Sequence, residues 1–171
     1  MRHLTASALL ALIILSLLHS GCAPTAPTGA SFKPLAAPDS QDTLIYIYRD
    51  DSLRGVDGVD IELDGEKLGR LLNGEFLAFL VNPGQHELKA RMKWLQVIPR
   101  SWNSLDFTSR AGQTLYLRVW AAYETTPTRG TEAANPASSA GGNGQVGLFL
   151  GIQKPDMGLQ ELKATRRAAG H

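Results

Sequence analysis

The chain has a single cysteine, four histidines and few charges of either sign. One thiol forms no intrachain disulfide and no thiolate zinc cage, so a disulfide scaffold and a zinc ribbon are both excluded. Charged residues are 19% of the 171 positions, 17 Lys and Arg against 16 Asp and Glu. That balance offers no basic stripe for nucleic acid and no acidic field for cationic partners. Hydrophobic residues, at 43%, suffice for a real core, so a wholly disordered chain is excluded too. The length argues for one domain with accessory segments.

The longest apolar stretch, Leu4 to Leu18, is shorter than the roughly twenty residues a helix needs to cross a bilayer. Behind the basic start Met1-Arg2-His3, it reads as the hydrophobic region of a secretory signal peptide. It ends at Leu18-His19-Ser20-Gly21-Cys22, with the sole cysteine behind two small residues. The arrangement resembles a bacterial lipobox, in which the cysteine thiol receives diacylglycerol and signal peptidase II cuts before it. It departs from the usual pattern at His19, where an aliphatic residue is the rule. An ordinary secretory signal and an uncleaved anchor are the alternatives. On the lipobox reading, residues 1–21 are a lipoprotein signal peptide and Cys22 is the lipidation site. Loss of Arg2 then leaves a mature chain with sixteen bases and sixteen acids. Three acyl chains hold far more firmly than one, anchoring a protein that does not span the membrane.

Residues 22–42, with prolines at 24, 27, 34 and 38, lack helical or strand periodicity and read as a flexible tether. From residue 43 the pattern is β. Leu44 to Tyr48 is rich in β-branched and aromatic residues, suiting a partly buried strand. Val59-Asp60-Ile61-Glu62-Leu63 alternates apolar and acidic residues, Asp64-Gly65 turns, and Lys67 to Leu71 returns. Asn73-Gly74 reads as a further hairpin turn, and Phe76 to Val81, apolar on both faces, as the central strand. Strands are also expected around His86–Met92, Leu105–Phe107, Leu115–Trp120 and Val146–Ile152, a succession that predicts an antiparallel β-sandwich. Tyr46, Ile61, Leu63, Phe79, Leu88 and Leu117 are its expected core. Asp156 to Arg167 reads as a short C-terminal helix. Glu124 to Gly144, without a large apolar residue, reads as a mobile loop. The body thus spans 43–167.

Val59 to Gly69, followed by Val81-Asn82-Pro83-Gly84-Gln85-His86-Glu87-Leu88, is similar to PEGA-like domains, where a "vDGkxvG" hairpin precedes a "PGxhxl" turn and strand. Together with Leu44 to Arg49 and Ala111 to Leu117, these residues resemble a family of uncharacterised bacterial lipoproteins, a domain of unknown function. The resemblance implies a small β-sandwich and brings no catalytic residues.

Little else in the chain suggests chemistry. After signal cleavage only His86 and His171 remain, and His86, at a strand entry, is the one imidazole a Ser-His-Asp device could use. Asp60, Glu62 and Asp64-Gly65 imitate the start of a calcium loop, but its twelfth position holds Leu71, and the alternation is that of a strand. Asp50, Asp51 and Asp57 could at most add to a weak cation site. Trp94, Trp102 and Trp120 are candidates for a stacking surface, with Trp102 the most exposed of the three by its neighbours Pro99 and Asn103 and with Arg100 beside it. The expectation is therefore a non-enzymatic, lipid-anchored binding or scaffolding module of the envelope. Its candidate surface is Trp102 and Arg100, its partner an envelope protein or glycan, and it needs no metal, cofactor or nucleic acid. Ala23 after the cysteine favours the outer membrane, facing the periplasm. The alternative is a small hydrolase of an envelope polymer.

Overall fold

Strand β1, Thr43–Arg49, lies inside the larger of two sheets, and all seven of its residues are buried. The computed structural model describes residues 27–39, 41–51, 53, 58–94, 98–123, 131–134 and 146–169. The expected leader and Cys22 lie outside them. After β1 come β2 (Val59–Leu63), β3 (Glu66–Leu71), β4 (Glu75–Val81), β5 (Gly84–Arg91), β6 (Lys93–Trp94) and β7 (Ile98–Pro99). Then follow β8 (Asn103–Ser109), β9 (Thr114–Tyr123), β10 (Thr131–Ala134), β11 (Val146–Gln153), helix α1 (Pro155–Leu162) and β12 (Arg166–Arg167).

The strands form a six-stranded sheet, ordered β10-β11-β9-β1-β4-β12, and a four-stranded sheet, ordered β3-β2-β5-β8; β6 and β7 make a small separate ladder. Alternate residues of each sheet meet between them. Ile45, Ile47, Leu115, Leu117 and Leu150 from one side pack with Val59, Ile61, Leu63, Leu88 and Phe107 from the other. This is the expected all-β sandwich, built on period-two patterning.

Three features differ from the sequence reading. The sandwich is not wholly antiparallel: β1 runs parallel to β9, with Ile45 opposite Leu115, and β12 runs parallel to β4. A parallel pair needs a long crossover, and here the whole four-stranded sheet lies in the connection. The turn at Asn73-Gly74 does not close a hairpin; like Asn82-Pro83-Gly84, it passes the chain from one sheet to the other. The central strand is also β1 rather than Phe76–Val81. Burial in β4 fades along its length, from Phe76 and Leu77 in the interior to Leu80 at 55% exposure, and Phe79 is only half-buried. The other five expected core residues are buried.

β1 is buried on both faces because the outer face of its sheet is also covered. Leu162 of α1 packs on Leu44, Tyr46, Tyr48 and Phe76 there. The helix starts at Pro155, whose missing N–H costs nothing in the first turn. It ends at Leu162 instead of running to Arg167, and the chain after it pairs with β4. Gly158 faces Tyr116 so closely that an added Cβ would lie 2.5 Å from the tyrosine Cβ.

The rest of that face is covered by the expected tether. Within it, Phe32 sets its ring edge-on to Phe76 and Tyr46, with centroids 5.3 and 5.6 Å away. The Phe32 N–H donates to Thr165 O, Ala30 O accepts from Arg167 N–H, and the Leu35 N–H donates to Tyr46 Oη at 2.8 Å. Residues 29–35 are therefore docked on the body. Proline content argued for a free linker, but one aromatic ring and a few backbone bonds hold the segment against an aromatic patch. In the expected loop at 124–144, Thr131–Ala134 adds strand β10 to the edge of β11; the mobility expected of the remainder concerns residues outside the described set.

Candidate functional site

Trp102 stands just ahead of β8 and is half-buried. Its ring is already taken: the Arg91 guanidinium lies 4.2 Å from its centroid, a contact worth about 0.5–1 kcal/mol near a surface. Arg91 also donates to Asp60 Oδ2 at 3.1 Å, and Lys93 Nζ lies 3.2 Å from Asp60 Oδ1. Arg100 is exposed and donates to Val146 O across 3.4 Å. The cation beside Trp102 is therefore Arg91, which the sequence reading missed because it sits eleven residues away on another strand. Trp120 is buried and stacks on Phe149, with centroids 5.5 Å apart. The Trp94 side chain lies outside the described set.

The sandwich brings together an acid, an imidazole and a hydroxyl that lie far apart in sequence. Asp64 takes φ 52° and Gly65 φ 81° in the β2–β3 turn, the left-handed pair that a tight hairpin requires. There Asp64 Oδ1 accepts the Glu87 N–H and Oδ2 lies 2.8 Å from His86 Nδ1. On the other side of the ring, His86 Nε2 is 3.1 Å from Ser109 Oγ and 2.9 Å from Asn82 O. Phe107 stacks on the imidazole at 5.3 Å. His86 and Ser109 are neighbours because β5 pairs with β8 in the register Gly84↔Ser109.

These are the groups of a serine hydrolase, but the hydroxyl is in no position to attack. Ser109 is 3% exposed, and its Oγ already accepts the Gly84 N–H at 3.2 Å. Nε2 is shared with a backbone carbonyl. An acyl-transfer site needs a nucleophile open to substrate and donors for the developing oxyanion. What this arrangement does instead is join the β2–β3 turn, the β4–β5 turn and the end of β8. The sequence singled out His86, and Asp64 only for its turn and a calcium loop; it missed Ser109, which only strand register identifies.

A second polar cluster closes the far end of β1. Arg49, fully buried, donates from Nε and Nη2 to Asp51 Oδ2 at 2.8 and 2.5 Å and from Nη1 to Leu71 O. Asp51 Oδ1 accepts the Ala121 N–H. Burial pushes the Asp51 carboxyl above its ordinary pKa, against the pull of Arg49. Beside it Tyr48 Oη donates to Glu161 Oε2 at 2.5 Å, and Arg118 reaches Glu161 Oε1 at 3.3 Å. Burial first, then the Glu161 carboxylate, holds the Tyr48 phenol far above its usual range. Of the acids weighed for a cation site, Asp51 is engaged by Arg49, Asp60 by Arg91 and Lys93, and Asp64 by His86. Among the described residues no group of three His, Cys, Asp or Glu is placed to hold a metal, and Asp57 lies outside them. No described helix is long and apolar enough to cross a membrane.

No curated protein and no solved structure matches the chain. Residues 39–133 match the family described as "Protein of unknown function (DUF2846)". That match takes in β1 to β9 and reaches into β10, while β11, α1 and β12 complete the sandwich beyond it. It covers more than half of the sequence, and the chain belongs to that family.

Proposed function

We propose that this chain is a lipid-anchored β-sandwich protein facing the periplasm, a non-enzymatic binding or scaffolding module of the bacterial cell envelope. Cys22 carries the reading: the only thiol of the chain follows Ser20-Gly21 at the end of the apolar run, where lipidation needs it. Diacylglycerol on its sulfur and a palmitoyl-type chain on its amine would anchor the protein, and Ala23 favours the outer membrane. The PEGA-like part of the reading draws support from His86, which ties together the Asp64-Gly65 and Pro83-Gly84 turns quoted for the resemblance. The envelope partner, protein or glycan, would be met by surface residues such as Arg100 and the Trp102–Arg91 pair. Intact-mass spectrometry of protein extracted from membranes tests the anchor. A chain starting at Cys22 with diacylglycerol and acyl mass is expected; a free thiol, or cleavage elsewhere, overturns the reading.

The Asp64–His86–Ser109 alignment favours one second reading, a small hydrolase of an envelope polymer. It requires the site to open. Ester turnover by the purified protein that Ser109→Ala abolishes would establish it.

A further inference from the structure

Two stretches of this chain carry bases and no acids, Ala23–Pro38 with Lys33 and Lys163–His171 with Lys163, Arg166 and Arg167. The fold lays them side by side. Phe32 N–H bonds Thr165 O, Ala30 O accepts from Arg167 N–H, and Arg166 Nη1 donates to Gly29 O at 3.2 Å. Lys33, Lys163 and Arg166 are exposed, and Arg167 rests over the Phe76 ring at 5.3 Å. None of the four has a described carboxylate partner. The nearby acids are engaged elsewhere: Glu75, opposite Arg166 in the ladder, is buried and accepts the Leu72 N–H, and Glu161 is held by Tyr48 and Arg118. Asp50 and Asp51 face Arg118 and Arg49. In a mature chain of zero formal charge, the two neighbouring stretches thus bring four bases to the β12 edge of the larger sheet.

Its place in the molecule says what it meets. Pro27 lies beside the Asn73–Gly74 turn, where Gly74 O accepts the Arg166 N–H. Cys22 precedes Pro27 by five residues, which span at most about 18 Å. We infer that Lys33, Lys163, Arg166 and Arg167 form a contact surface for anionic phospholipid headgroups, holding the sandwich down on the bilayer that carries its anchor. The inference rests on lipidation of Cys22. A freely hinged tether of twenty residues would let the body turn any face to the membrane. A docked one brings the Arg166 end to the surface, and basic residues near a lipid anchor add to its hold on anionic membranes.

The test uses the full lipidated protein in two kinds of vesicle, pure phosphatidylcholine and phosphatidylcholine with phosphatidylglycerol. Lysines are acetylated with a water-soluble reagent and read by mass spectrometry, together with the mass at Cys22. On the anionic vesicles, labelling of Lys33 and Lys163 should fall about fivefold or more. It should recover in about 0.5 M salt, where the Debye length is only a few ångströms. Lys67, exposed on the other sheet near the Asp64-Gly65 turn, should label equally in both. A lipidated protein whose Lys33 and Lys163 label alike in the two vesicles overturns this inference alone, as does protection that salt does not relieve. A protein without lipid at Cys22 overturns it together with the anchor on which it rests.

Discussion

The Tyr48 hydroxyl donates to the Glu161 carboxylate across 2.5 Å, fastening helix α1 to the most buried strand of the sandwich. A hydrogen bond to a charged acceptor is worth about 1.5–3 kcal/mol, so Tyr48→Phe should lower stability by that order. Urea unfolding should show a lower midpoint with an unchanged slope. The same pair has a pH signature. The Tyr48 pKa is raised in the folded state above its ordinary 10.0, so the folded protein holds a proton that the unfolded chain releases. The Tyr48 contribution is fully present below about pH 10 and is lost as pH rises above it; Tyr48→Phe should flatten that fall.

Asp51→Ala should be among the costliest single changes, at about 3–5 kcal/mol, because it strips the fully buried Arg49 of its counter-charge. The double variant Arg49→Met, Asp51→Asn should recover much of the loss, since an amide can still accept the Ala121 N–H while the buried charge is gone. Unfolding midpoints of Arg49→Met, Asp51→Asn and the double variant measure the coupling.

Gly158→Ala tests the approach of helix to sheet. Helix propensity alone would make alanine about 1 kcal/mol better than glycine. The added methyl would sit 2.5 Å from the Tyr116 Cβ, however, and backbone-linked atoms must move to admit it. A net loss of about 1–3 kcal/mol is expected, read as a lower melting temperature.

Ser109 should resist a fluorophosphonate probe in the native protein, its hydroxyl being buried and bonded by the Gly84 N–H. Mass spectrometry of the treated protein checks this. His86→Ala should cost about 1–3 kcal/mol by leaving Ser109 and the turn groups without their shared partner. Labelling of Ser109 would mean that the site opens and would move the reading toward hydrolysis.

Phe32→Ala should release the docked segment while leaving the sandwich folded, because the ring's contacts lie on the outer face. Amide exchange at Phe32 and Arg167, whose N–H groups bond across that junction, should accelerate well before exchange in β1.

Much of the architecture was legible in local pattern. Val59 to Leu63 announced a half-buried strand, since alternation forces one face inward, and Asp64-Gly65 announced its turn, since few other pairs accept positive φ. The apolar run and the cysteine at its end are likewise matters of sequence alone. Tertiary structure decided everything that joins residues distant in the chain. Asn73-Gly74 looks the same whether it closes a hairpin or carries the chain between sheets, because the turn does not encode which strand lies alongside. β1 reads as a partly buried strand until α1 and Phe32 cover its second face. Ser109 met His86, and Arg91 met Trp102, through strand register and loop placement, over separations of 23 and 11 residues. Composition made residues 22–42 a linker, yet docking of residues 29–35 was settled by an aromatic patch contributed by β1, β4 and β9. Local propensity determines how each segment bends and which side is apolar; which apolar sides meet depends on the free energy of packing the whole chain at once.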